Sequence, residues 1–439
     1  KILIILLKKK MKKGFLSYIG FFLTIFYLVD LNAQVNMADP FQIIRVPQTP
    51  MPINFGGNNN PNPALQAEIE FQRELQQTLN SANQEALRKN SIHYDLPAQT
   101  SKQGTESYRK TAQILNNMLN GTIPANLKDA VFAVENAYFG GQLEYDKYNN
   151  AIQDFITTAK LKTQQQRYNW NNPLTRNVML FRAMSDTMKI KLPNMETSVM
   201  SSPVKYDFED FKGEKDWTKM FVSKLLSTKS GQCHSLPLLY LILCEATNTE
   251  AYLAFSPSHT YAKFKDPQGN WYNVELTRGR IVSDAVIMAS GYITAEALKN
   301  KLYMQPQTKT QAINHCLANL AMGYIDKFGY DPFVNQCVDT ILKHDPNSFE
   351  AIQIKSNYQT KRLEYVVGQV GRPHPDSLKV HYPRIYELYE ERNNTYKRID
   401  ESGYREIPKE AYQAWLNSVN KEKKKQEEEK LRRIIRINR

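Results

Sequence analysis

The stretch between residues 231 and 277 constrains the fold of this 439-residue chain more than any other. The run Leu-Pro-Leu-Leu-Tyr-Leu-Ile-Leu at 236–243 carries no charge and has to be buried. Its early Pro237 is tolerated in a first helical turn, so the run predicts a buried helix that begins just ahead of it. Ser230-Gly231-Gln232 before it reads as a turn. Three strand patterns follow at 251–255, 259–264 and 270–276. Ser256-Pro257-Ser258 separates the first two, and the hairpin signal Asp266-Pro267-Gln268-Gly269 separates the second and third. A buried helix followed by a small antiparallel sheet predicts an α+β fold.

Three reactive side chains sit at the ends of these elements. Cys233 opens the helix, His259 opens the second strand and Glu275 closes the third. A hairpin turning at 266–269 brings His259 and Glu275 to the open ends of paired strands, where they can be neighbours. A thiol at a helix N-terminus lies beside unpaired N–H groups and the positive end of the helix dipole, which favour a thiolate. The same N–H groups can hold an oxyanion. Cys, His and acid together are the parts of a nucleophilic site in which the acid orients the base that activates the thiol. The competing reading of a cysteine at a helix start is simple packing. His234 projects about 100° away from Cys233 around a helix, so it is read as a rim residue or substrate contact rather than the base. Cys244 falls about 16 Å along the same helix, too far for a disulfide, and is read as core.

In order and in context, these motifs resemble the transglutaminase-like superfamily, a branch of the papain-like cysteine hydrolases. That pattern has Gly-x-Cys opening a helix, a His opening a strand two residues before an aromatic, and Trp-x-x-x-Asp-x-Thr on the next strand. Gly231-Gln232-Cys233, His259 with Tyr261, and Trp271, Glu275 and Thr277 match it, with Glu replacing the usual Asp. The resemblance covers about 80 residues, from 216 to 295. It implies a papain-like core, a Cys-bearing helix packed on a small antiparallel sheet. It further implies Cys233 as nucleophile, His259 as base and Glu275 as orienter, with Gln232, His234, Tyr261 and Trp271 contacting substrate. The implied activity is a peptidase or amidase acting through an acyl-Cys intermediate on a peptide or protein. Amine transfer is the alternative, and so is a catalytically inactive scaffold of the cell envelope. A wall protein associated with polysaccharide has no support beyond export and surface tyrosines. No calcium loop is recognisable and no cofactor is expected.

The rest of the chain divides by composition. Residues 1–33 read as a signal peptide, with Met11-Lys12-Lys13 as a basic start, an apolar core at 14–29 and Leu31-Asn32-Ala33 as a cleavage site. Met11 is the expected start of translation. The mature chain is expected to be secreted or periplasmic, outside the membrane. Residues 34–104 read as a Pro/Asn/Gly-rich linker and a polar helical arm at 64–89. Residues 105–304 read as the transglutaminase-like domain with an N-terminal helical layer: amphipathic patterns at 107–119, 127–138, 145–161 and 178–188, a loop at 193–203, and a helix at 217–226. The acidic, aromatic stretch at 206–211 reads as a short strand or a substrate-facing segment. Residues 305–367 weakly resemble tetratricopeptide helices closed by Asp345-Pro346, a possible protein-binding region that more naturally packs on the core. Cys316 and Cys337 fall on that pair, and a disulfide between them is weighed and disfavoured. Residues 368–439 read as helices at 382–392 and 409–419 and a charged tail.

The net charge of +13 misleads about partners. Residues 1–33 carry six Lys and one Asp, and 421–439 carry nine basic and four acidic groups, so the remainder is nearly neutral. No basic face interleaved with aromatics appears, which argues against nucleic acid. Four cysteines are too few for a disulfide scaffold, and their spacing does not suggest zinc.

Overall fold

The computed structural model describes residues 63–192, 197–210, 213–291 and 293–405, with isolated positions between 410 and 424. The expected signal peptide, the linker up to 62, most of the helix expected at 409–419 and nearly all of the charged tail lie outside the described residues. The described residues up to His93 form one unit and those from Tyr94 onward another. In the first, the expected polar arm is helix α1 (Pro63–Asn90), which buries none of its residues.

The second unit is α+β. It begins with α2 (Thr105–Leu119), α3 (Leu127–Tyr138), α4 (Tyr145–Gln165) and α5 (Pro173–Ser185). Local sequence sets their starts. Asn126 caps α3 by accepting from Asp129 N, and Asn172 caps α5 ahead of Pro173. The expected stripes face inward, among them Tyr108, Leu115, Val131, Val134, Ile152 and Phe155. The helix expected at 178–188 is displaced: α5 stops at Ser185 and the chain turns into strand β1 (Met188–Lys191). There Met188 and Ile190 alternate inward, and β1 pairs with β2 (Ser198–Ser201), where a loop was expected.

The helix expected at 217–226 is also corrected. It is a 3-10 turn at Trp217–Met220 followed by α6 (Val222–Thr228), with Phe221 extended between them. The break has a distant cause. Glu135 of α3 is 3% exposed and accepts from Val222 N at 2.6 Å and Ser223 N at 2.8 Å, capping α6 there. Burial raises the Glu135 carboxyl to about 7 against those hydrogen bonds.

Strand β3 (Lys205–Tyr206) pairs in parallel with β4 (Ser230–Gly231), so Ser230-Gly231 is a strand rather than the expected turn. The buried run is α7 (Ser235–Ala246). Then β5 (Tyr252–Ser256), β6 (His259–Lys265), β7 (Trp271–Glu275) and β8 (Arg280–Val282) form a four-stranded antiparallel meander. Asp266 closes the β6–β7 turn, accepting from Gln268 N and Asn270 N, with Gly269 at φ 92°. One face of the sheet, with Leu253, Ala262 and Val274, joins the core that contains α7. Ala254 and Tyr261 join a second cluster with Ile287, Tyr303 and Met304. Both faces of this sheet therefore carry buried apolar side chains.

The chain continues through α8 (Asp284–Gly291) and α9 (Ala295–Lys299), the latter capped by Thr294, whose side chain accepts from Ala297 N. The last helices are α10 (Lys309–Phe328), α11 (Pro332–His344), α12 (Phe349–Gln369), α13 (Pro375–His381) and α14 (Pro383–Glu401). Helix α10 packs against α2 and α3 as well as α11. Ile313, Leu317 and Leu320 therefore belong to the same core as Leu239 and Tyr240. Residues 105–304 and 305–367 share this core. Cys316 and Cys337 are buried free thiols. No described helix is long and apolar enough to cross a membrane.

Candidate active site

The turn that carries Cys233 is built by close packing. Gln232 O accepts from Leu236 N at 3.0 Å, which starts the helical ladder one residue ahead of Cys233. Gln232 N donates to Ser235 Oγ at 3.0 Å, which fixes the turn. Cys233 thus sits in the first turn leading into α7, half-buried and unpaired with any other cysteine. Helical geometry leaves the first N–H groups of that turn without intrahelical partners. Gly231 is required beneath it: a Cβ there would lie 2.6 Å from Ser235 Oγ and 3.0 Å from Leu225 Cδ1. Gly231→Ala is therefore expected to destabilise the fold by about 1–3 kcal/mol, read as a lower denaturant midpoint. A midpoint equal to wild type would contradict the packing.

His259 and Glu275 meet as the hairpin places them. His259 Nε2 donates to Glu275 Oε2 at 2.6 Å. Glu275 Oε1 accepts from Thr277 N at 3.1 Å and Thr277 Oγ1 at 2.5 Å. The methylene by which Glu exceeds Asp is thus accommodated by bracing the carboxylate against Thr277. Cys233 acts on the His259 ring as a neighbour that favours its protonated form, and with Nε2 committed to Glu275, Nδ1 is the nitrogen left to face the sulfur. Burial disfavours the His259 imidazolium, but the Glu275 carboxylate and the Cys233 sulfur outweigh burial and raise it to about 10. Burial opposes ionisation of Glu275 too, yet His259 and Thr277 hold it below the usual carboxylate range.

Tyr206 completes this neighbourhood. Its parallel pairing with Gly231 sets it beside the Cys233 turn. Burial pushes its phenol well above the usual range, and the charges of Cys233 and Glu275 push the same way. A pairing across 25 positions leaves no local signal, so the sequence marks this stretch only as acidic and aromatic.

The four residues expected to touch substrate are placed otherwise. Gln232 is fully buried, and its Nε2 donates to the carbonyl oxygens of Asp207 at 3.2 Å and Asp210 at 2.9 Å. It ties the 207–210 segment to the Cys233 turn instead of facing solvent. His234 points into the protein, with Nδ1 2.9 Å from Met220 O. Tyr261 is 1% exposed and lies under the imidazole, its ring 6.3 Å from that of His259 and nearly parallel to it. Trp271 pairs with Lys265 at the turn end of β7, about 13 Å along the strand from Glu275. Lys263 and Lys265 lie over its ring. Among the described residues, no group of three or more His, Cys, Asp or Glu is arranged to hold a metal ion.

The chain matches no known family, no curated protein and no solved structure. The functional reading therefore stands on the site's own chemistry.

Proposed function

We propose that the chain is an exported, cysteine-dependent amide hydrolase with a transglutaminase-like, papain-type core. One observation carries this reading: His259 gives Nε2 to Glu275 at 2.6 Å, while Cys233 favours the protonated form of the same ring. In the proposed reaction the Cys233 sulfur attacks the amide carbonyl carbon and forms a C–S bond. The oxyanion meets the free N–H groups at the start of α7. His259 gives its proton to the leaving amine as the C–N bond breaks. His259 then takes a proton from water, whose oxygen attacks the thioester carbon; the C–S bond breaks, releasing a carboxylic acid and returning Cys233 as a thiolate beside the His259 imidazolium. Glu275 holds the ring in orientation throughout, and Tyr206 borders the reacting sulfur.

The substrate class is a peptide or protein amide, and export follows from the reading of residues 1–33 as a leader. A screen of peptide and peptidoglycan-fragment amides against the wild type and Cys233→Ala tests the proposal. Turnover that is lost with the sulfur supports it, and turnover that survives sinks it. Adding a primary amine separates hydrolysis from amine transfer, because only transfer yields a substituted amide.

A further inference from the structure

A second set of titratable groups meets directly behind the Cys233 turn. His234, the residue after Cys233, is half-buried and turns its ring toward α10 and the 3-10 turn. Its Nδ1 lies 2.9 Å from the Met220 carbonyl oxygen, which can only accept, so this nitrogen carries a hydrogen. In a neutral ring Nε2 is then an acceptor. Two groups face it: Asn319 Nδ2 at 2.8 Å and His315 Nε2 at 3.1 Å. Two ring lone pairs cannot face each other at that separation, so His315 Nε2 is a donor. On the far side, His315 Nδ1 sits 3.0 Å and 2.9 Å from the two oxygens of Glu350, which accept as a carboxylate. With His234 neutral, His315 donates from both nitrogens, which only an imidazolium does.

The surroundings suit that assignment. His315 is 4% exposed. What faces its ring is Glu350 from α12, His234 from the Cys233 turn and the Phe255 ring from β5 at 5.4 Å, while Asn319 of its own helix α10 meets His234. Glu350 supplies the countercharge. Burial pushes His234 down to about 4 and the neighbouring His315 pushes the same way, so His234 is the neutral member.

We infer that Glu350 holds His315 as a buried imidazolium, and that this charged strut positions the Cys233 turn through His234, which makes α10 and α12 part of the working site. His234, His315 and Glu350 are positioning residues on this account. The proton count stands by itself, whereas the consequence for catalysis rests on Cys233 being the nucleophile.

Nitrogen-15 NMR of the histidine rings in the full-length protein at pH 7 reads the proton count. The expected result is two protonated nitrogens on His315 and one on His234. A single protonated nitrogen on His315 would overturn the inference. So would stoichiometric zinc retained through purification, with the metal in the proton's place between the rings. Glu350→Gln removes the countercharge. In a variant whose circular dichroism matches wild type, it should slow alkylation of Cys233 by iodoacetamide about 10- to 100-fold, as displaced reacting groups do. Glu350→Asp, which keeps the charge, should restore most of that rate. A purely stabilising role would lower the melting temperature in both variants without this difference, and wild-type alkylation in Glu350→Gln would overturn the positioning claim. If Cys233→Ala leaves amide turnover intact, the nucleophile reading fails by itself while the NMR result still decides the proton count.

Discussion

Cys233→Ala should lower amide turnover by about 10⁴-fold or more, the scale on which a triad fails when its nucleophile is removed. The loss should fall on kcat, because the sulfur forms its bond to substrate only as the reaction proceeds. Stability should change little, because Cys233 is half-buried and its removal opens no closed cavity. Cys233→Ser should be nearly as damaging, since a hydroxyl is far harder to ionise than a thiol beside the same imidazole. Matching Ala and Ser variants with native melting curves would separate chemistry from folding. Turnover within tenfold of wild type in both would remove Cys233 from the mechanism.

Glu275→Gln should cost about 10³- to 10⁴-fold in kcat, the penalty seen when a triad acid becomes an amide of the same shape. The amide carries no charge to support the imidazolium and can present an N–H to His259 Nε2, selecting the wrong tautomer. The same substitution has a signature in stability against pH. His259 is raised from 6.5 to about 10, so its contribution is fully present below pH 6.5 and is lost as pH rises toward 10. Glu275 is lowered from 4.5, so its contribution is present above that value and is lost as pH falls below it. The pair therefore stabilises the fold most between about pH 5 and 6.5. The difference in denaturant midpoint between wild type and Glu275→Gln should peak there and shrink toward pH 10 and toward strong acid. A difference that stays flat across this range would mean that the two side chains do not share a charge.

What could be read from the sequence, and what could not, follows the range of the forces involved. The buried helix α7 and the β6–β7 hairpin were legible because Pro237, the apolar run at 236–243 and the Asp266–Gly269 turn act within a few residues. That hairpin suffices to bring His259 and Glu275 together. The Thr277 brace lies two residues beyond Glu275, inside the motif, although its task became visible only with the carboxylate in place. Other features depend on partners far along the chain. The break at Phe221 follows from Glu135, 87 positions earlier than Val222. The role of His234 depends on His315, 81 positions later. Tyr206 reaches the site through a two-residue parallel bridge that no hydrophobic period announces. Gln232 and His234 flank the nucleophile in sequence, yet helix geometry and close packing turn both inward as struts.

The central claim is that the His259 imidazole activates the Cys233 sulfur, and the rate of Cys233 alkylation by iodoacetamide at pH 6 tests it most directly. The account predicts that His259→Ala slows alkylation of Cys233 at least about tenfold in a folded protein. Equal rates in the wild type and His259→Ala would contradict it.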